Sequence, residues 1–434
     1  MNIQQRQHIA SLAQETIAEH ASHLRSSTPY ASTRIAFLLP NLGGGGVQKN
    51  TLTIAKGLHA QGYQIDLVLC SDEGPLRSQI PEQFRIKRLT QKNPLLGRII
   101  MLRAGQDYWP ALLRPALLAR RPSKTLGYLP ALIDYLRQDQ PAALLSATLH
   151  LNIEAVLARS IAKTNTRVVV TQSSQFSEWY QDSREWRRRF TIPLAKKAYQ
   201  DADQIVCVSQ GVADDLAEKL AINANKINTI YNPVVTPELL TGMQQTVDHP
   251  WFDTGKPPVI LSVGRPGQQK DFSTLLKAFA QVRQQHNVRL VILGETGDPN
   301  KKQRRKNEMD QLMQQLNISE FVDFHGFVQN PYSYMANAAV FVLASHYEGF
   351  GNVIAEALAC GCPVISSDCP SGPAEILQNG ACGKLVPISD AGAMAVAISA
   401  TLNEKIDSDA PQRRAEDFLL EPIARDYAHV LLKK

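Results

Sequence analysis

From Arg34 onward, short apolar runs alternate with amphipathic stretches, the rhythm of strands and helices taking turns. Ile35 to Leu39 consists of strand formers and stops at Pro40. Gly43 to Gly46 then opens a helix over Val47 to Ala60, and Gly62 ends it before a second strand, Ile65 to Cys70. Further strands are expected at Ala142 to Ser146, Arg167 to Thr171, Gln204 to Val208 and Lys226 to Tyr231. Continuous apolar strands separated by helices imply a parallel sheet covered on both faces. The rhythm fails between Asn232 and Pro258, a proline-rich stretch that reads as a linker. A second series follows at Val259–Val263, Val288–Leu293, Phe321–Phe324, Val340–Leu343 and Pro363–Ser366, and an amphipathic helix over about Arg413 to Leu432 closes the chain.

At 434 residues the chain exceeds what one hydrophobic core spans. The expected architecture is α/β, with two doubly wound Rossmann-like domains facing a cleft. An N-terminal extension covers 1–33, the first domain 34–240, the second 241–412, and the closing helix 413–434. Open parallel sheets place ligands at the carboxyl ends of their strands, so chemistry is sought there.

Hydrophobic residues at 44% and charged residues at 20% fit an ordinary globular enzyme. No run approaches the roughly 20 apolar residues that span a bilayer, and Met1 to Thr33 is polar, without a signal-like core. Cys360, Cys362, Cys369 and Cys382 lack the spacing and the His partners of a zinc site, so buried reduced thiols and a cytoplasmic location are expected. The net charge of +6 is unevenly placed: Lys92, Arg98, Arg103, Arg114, Arg120, Arg121 and Lys124 face only Asp107, with Leu, Ile and Trp109 interleaved. A second basic knot, Arg184, Arg187, Arg188 and Arg189, lies beside Trp179, Tyr180 and Trp186. Besides a solvated face, this pattern suits anionic lipid head groups on a cytoplasmic membrane face, or an acidic acceptor. No nucleic-acid-binding module accompanies it.

Three segments could carry chemistry. Gly43 to Gly46 sits between a strand and a helix start, where glycines permit positive φ and close approach, and the helix N-terminus offers N–H groups to an anion or sugar. Lys49 stands where the last glycine of a dinucleotide fingerprint would fall, so that reading is weak. Gly264–Arg265 and Lys270 occupy a strand-to-helix corner, where two cations can neutralise a departing diphosphate. The segment Glu348–Gly349–Phe350–Gly351–Asn352 precedes a helix that carries Glu356, placing two carboxylates at different points along a bound ligand.

These elements, with Gly45–Gln48 and Ser367–Leu377, resemble glycosyltransferase family 4 from about Arg34 to the C-terminus. The resemblance implies a GT-B fold with the 413–434 helix packing back on the first domain. It implies retention of anomeric configuration and no metal or other cofactor, the nucleotide sugar being a co-substrate. By the family pattern Arg265 and Lys270 bind the donor diphosphate, Glu356 holds the ribose, and Glu348 contacts the transferred sugar. Gly349, Phe350, Gly351 and Asn352 line the pocket, Gly45, Gly46 and Gly264 approach the donor, and Gly294, Glu295, Phe327 and Val328 lie near the nucleotide. His150 stands where relatives carry a strand-end His facing the sugar, while Gln172–Ser173–Ser174 replaces their Glu-His-Asn. The run Cys369–Pro373 is similar to transferases of bacterial surface polysaccharides, which favours a UDP-linked hexose or N-acetylhexosamine and a glycan or lipid-linked acceptor.

Asp201–Ala202–Asp203, at a helix end with no carboxylate cluster around it, and Asp407–Ser408–Asp409, in a loop, both spell a metal-binding DxD by chance. A glycosidase would use paired carboxylates but has no need of the Arg and Lys. A dehydrogenase would use the first glycine loop. A non-catalytic partner subunit of the same fold, binding nucleotide sugar, is the alternative to the transferase.

Overall fold

A computed structural model describes residues 32–104, 108–111, 124–181, 186–294, 299–404 and 410–433; the side chains of 179–191 are not described. The extension 1–31, Asp107, Arg114, Arg120 and Arg121 of the first basic stretch, Arg184 and the side chains of Arg187–Arg189 of the second knot, Glu295 and the Asp407 motif therefore lie outside the described residues. The chain forms two compact units, one running to Pro233 and resuming at Leu420, the other spanning Val234–Leu419.

The first unit holds a seven-stranded sheet in the order β3-β2-β1-β4-β5-β6-β7. Its strands are β1 (Arg34–Leu39), β2 (Gln64–Leu69), β3 (Arg85–Arg88), β4 (Ala143–Ser146), β5 (Arg167–Gln172), β6 (Gln204–Cys207) and β7 (Ile227–Thr229). Every pairing is parallel. Among the described residues seven helices connect them: α1 (Gly46–Ala60), α2 (Pro94–Met101), α3 (Leu129–Asp139), α4 (Leu149–Ala162), α5 (Phe176–Gln181), α6 (Trp186–Asp201) and α7 (Gln210–Leu220). Asp66 on β2 is buried yet satisfied, because Arg85 and the Tyr135 hydroxyl both donate to it.

The second unit begins with α8 (Pro237–Gly242), inside the stretch read as a plain linker; Thr236 caps it and Pro237 stands at its first turn. Six parallel strands follow in the order β10-β9-β8-β11-β12-β13. They are β8 (Val259–Val263), β9 (Arg289–Leu293), β10 (Val322–Gly326), β11 (Val340–Leu343), β12 (Val364–Ser367) and β13 (Lys384–Val386). Their helices are α9 (Phe272–Arg283), α10 (Pro299–Gln315), α11 (Pro331–Asn337), α12 (Asn352–Ala359), α13 (Pro373–Ile376), α14 (Ala391–Asn403) and α15 (Ala410–Glu416). The boundary after Pro233 falls ahead of the 240 expected, because Val234 and Val235 both donate to the Phe418 carbonyl within the second unit.

The closing helix is two helices, not one from 413. Buried Arg414 on α15 donates to the Ile376 and Glu375 carbonyls and so fastens α15 to the second unit. Only α16 (Leu420–Leu432) enters the first unit. There Ile423, Tyr427, Val430 and Leu431 join a core with Phe37, Leu58 and Leu67. Gly57 makes this docking possible, since a Cβ there would stand 2.8 Å from the Ala424 Cβ. All six cysteines are buried and none is in a disulfide; burial pushes the Cys70, Cys207, Cys362 and Cys369 thiols up to about 12.

Candidate functional site at the switch point of the second sheet

In a doubly wound sheet the strand order reverses at one place, and the loops leaving the two strands there diverge to open a crevice. In the second unit this place lies between β8 and β11. The loop after β8 carries Gly264, Arg265 and Lys270; the loop after β11 carries Ser345 to Gly351. The two loops meet. Lys270 Nζ donates to Glu348 Oε1 at 2.5 Å, with 15% and 9% of the two side chains exposed. Ser345 Oγ donates to the same oxygen at 2.7 Å.

Local geometry explains why these residues come together. The Lys270 stem runs along Gly264, where an added Cβ would stand 3.0 Å from its methylenes. Asp271 takes a left-handed conformation (φ 38°) and caps α9 through the Thr274 amide and hydroxyl. Gln269 accepts from the His346 amide at 2.8 Å and donates through its side chain to the Tyr347 carbonyl at 3.0 Å. The Lys270 turn is thereby stitched to the Glu348 loop on its N-terminal side.

Around this pair, Phe350 is buried and packs edge-on against Phe418. Gly351 (φ 95°) precedes α12, and Glu356 lies within that helix, buried. Gly372 closes on the loop from behind: at φ 58°, a Cβ there would stand 1.9 Å from the Phe350 carbonyl oxygen, so only glycine fits. Gly294, at the end of β9 with φ 127°, donates to the Gly326 carbonyl, and an added Cβ would meet the Gly264 carbonyl at 2.2 Å. Phe327, just past β10, is 76% exposed, and Val328 beside it is half-buried. Arg265 is exposed at the mouth of the corner.

The first sheet has its own switch point, between β1 and β4. Gly43–Gly46 follows β1, and His150 follows β4, so the topology places both at one crevice. One expectation changes in detail. None of the four glycines has positive φ; Gly45 is extended (φ −75°) and Gly46 opens α1, while Gly74 takes the left-handed role beside Leu42. His150 is exposed in the first turn of α4. One turn deeper, buried Asn152 donates to the Thr171 carbonyl and to Tyr199 Oη, which donates to Gln172. Gln172 in turn donates to the Ser174 carbonyl, so the Gln-Ser-Ser departure forms an ordered corner.

The carboxylates of the first DxD spelling are engaged elsewhere: Asp201 with Lys197, and Asp203 with Arg159 and the Val168 amide. Among the described residues one trio could meet at a metal: His249, Asp323 and His325. The donor set argues against that use. His249 Nδ1 accepts the Trp251 amide, which leaves the proton on Nε2, facing Asp323 Oδ2 at 3.0 Å. A metal at Nε2 would have to displace that proton and break the cap.

Sequence reasoning missed Ser345 and Gln269, and it gave no role to Ser367, whose hydroxyl donates to the Ser345 carbonyl at 2.5 Å. Nothing in their identity marks them; only the meeting of the two loops does.

The description "Glycosyl transferases group 1" matches residues 245–418, and "Glycosyltransferase Family 4" matches residues 44–237. The chain belongs to glycosyltransferase family 4. This family 4 chain is 28% identical over 408 residues to N-acetylgalactosamine-N,N'-diacetylbacillosaminyl-diphospho-undecaprenol 4-alpha-N-acetylgalactosaminyltransferase of Campylobacter jejuni, covering 92% of this chain and 99% of that one. It is 28% identical over 272 residues to the lipopolysaccharide core biosynthesis glycosyltransferase LpsE of Rhizobium meliloti, covering 61% and 74%. Among solved structures, Anabaena HepE in complex with UDP and glucose shares the fold with a TM-score of 0.70 at 18% identity, over 93% of this chain and 100% of that one. WaaG, a glycosyltransferase involved in lipopolysaccharide biosynthesis, has a TM-score of 0.64 at 15% identity, over 92% and 100%. The family 4 chain thus has the GT-B fold of these transferases.

Proposed function

We propose that this glycosyltransferase moves a hexose or N-acetylhexosamine from a UDP-sugar to a glycan or lipid-linked acceptor, with retention of configuration and without a metal ion. The observation that carries the reading is the convergence of Lys270 and Glu348 at the switch point of the second sheet. A departing nucleoside diphosphate gathers negative charge, and Lys270 with Arg265 supplies fixed positive charge where it builds. Glu356 holds the ribose, and the Gly349–Asn352 turn lines the sugar and phosphate. The bond from the sugar's anomeric carbon to the β-phosphate oxygen breaks. The acceptor oxygen bonds to the same face, and its proton passes to that phosphate oxygen. Glu348 acts on the cationic sugar by charge and position, not as a nucleophile. Gly45, Gly46 and His150 serve the donor sugar from the first unit. The C. jejuni relative, named for N-acetylgalactosamine transfer to a diphospho-undecaprenol-linked glycan, supports the amino-sugar and lipid-linked choices.

The basic stretch suits a lipid-linked acceptor. On and just after α2, Leu95, Leu96, Ile99, Leu102 and Trp109 are exposed. Lys92 and Arg103 are exposed beside them, a composition that settles at an anionic bilayer surface on the cytoplasmic side. No described helix is long and apolar enough to cross a membrane.

Thermal shift across UDP-, GDP- and ADP-sugars identifies the donor, and NMR of the product reads its anomeric configuration. Arg265→Ala and Lys270→Ala are expected to lower turnover by about 10²-fold or more with the fold intact. Near-normal turnover by both at saturating donor refutes the leaving-group role, and donor binding without any turnover favours the non-catalytic subunit.

A further inference from the structure

We propose that Ser345 is a positioning residue that holds Glu348 in its working rotamer, acting with Gln269 to make the Lys270 corner and the Glu348 loop one preformed unit. This rests on the transferase reading above and names residues it does not use.

Ser345 is fully buried at the first turn out of β11. Its hydroxyl donates to Glu348 Oε1, the oxygen that Lys270 also engages. Its carbonyl is held by the Ser367 hydroxyl on neighbouring β12, so this loop residue is tied to the sheet. A carboxylate gripped by one long lysine alone would follow the lysine's motion. The second donor, on a fixed base, removes that freedom. Gln269 does the same for the other partner. Its carbonyl and side-chain amide grip residues 346 and 347, immediately before Glu348, while its neighbour Lys270 grips Glu348. Groups ordered before the donor arrives need no reorganisation in the transition state, so this order acts on the chemical step more than on nucleotide affinity.

The test is a double-mutant cycle on the full chain with the donor found by the shift screen. Ser345→Ala is expected to lower kcat about tenfold with UDP affinity changed less than about threefold, and Ser345→Thr, which keeps the hydroxyl, to restore most of it. If Ser345 acts through Glu348, adding Ser345→Ala to Glu348→Gln lowers kcat no further. Gln269→Ala is expected to show the same split between kcat and affinity. Additive losses, a parallel collapse of UDP binding and melting temperature, or a wild-type kcat in Ser345→Ala would each overturn the proposal. Should wild type turn over no nucleotide sugar, the transferase reading fails by itself. The cycle is then read in UDP-glucose affinity, where non-additivity supports Ser345 and additivity overturns it.

Discussion

Replacing Lys270 by Met should separate two roles of one side chain. The ammonium stands 2.5 Å from a carboxylate with 9% of its side chain exposed. Removing it strands the Glu348 charge with, among the described residues, the Ser345 hydroxyl for support. Breaking a buried pair costs about 3–5 kcal/mol, and the partial exposure of Lys270 points to the lower end, about 3 kcal/mol. For a unit of this size each kcal/mol moves the midpoint by about 2–4 °C, so the second unit should melt about 6–12 °C lower. Adding Glu348→Gln removes the stranded charge and should recover more than half of that drop. Turnover behaves differently. Lys270→Met should lose about 10²- to 10³-fold from the missing electrostatic contact, and the double variant should recover none of it. Scanning calorimetry and initial rates below the lower transition give both readings. A double variant as unstable as the single one would show that the pair's charges are not what Lys270 balances.

Gly372→Ala should distort the Phe350 turn, because its Cβ has no room beside the Phe350 carbonyl; nucleotide protection in a thermal-shift assay should be lost, and wild-type protection would contradict this. Glu154 on α4 is buried, and desolvation pushes its carboxyl up to about 8 from an ordinary 4.5. The folded state therefore keeps a proton that the unfolded chain releases, so this group's contribution is full below about pH 4.5 and is lost as pH rises to about 8. Glu154→Gln should accordingly gain stability over wild type by up to about 1.4 kcal/mol per pH unit in that window, and parallel denaturation midpoints would refute it. Ile99→Glu should weaken sedimentation with anionic vesicles about tenfold while leaving the melting temperature unchanged; equal binding of wild type to neutral vesicles would end the bilayer reading. EDTA should leave turnover intact, and a strict requirement for added Mg²⁺ would reopen metal-assisted departure.

The parallel sheets were legible because buried central strands such as Ile35–Leu39 and Val340–Leu343 are apolar throughout. The edges were not. β3 reads Arg-Ile-Lys-Arg and β13 has three residues, so neither carries the apolar run that betrays a central strand. α8 was readable in hindsight from Thr236, Pro237 and Glu238, and the surrounding prolines hid it. Glycines in the sequence marked possible left-handed turns but not which ones are used: none of Gly43–Gly46 takes positive φ, while Gly74 and Gly372 do the turning. In the site, the charged pair announced itself by residue type. The serines and Gln269 that hold it did not, since a hydroxyl at a strand end is informative only when its partner loop is known.

The docking of α16 has a consequence for biosynthesis. Because residues beyond Leu420 supply Ile423, Tyr427 and Leu431 to a core begun at Ile35, the amino-terminal sheet leaves the ribosome with an apolar flank uncovered. It must wait for the whole second unit to be translated before that flank closes. A chaperone binding there during synthesis would be displaced when α16 emerges and docks.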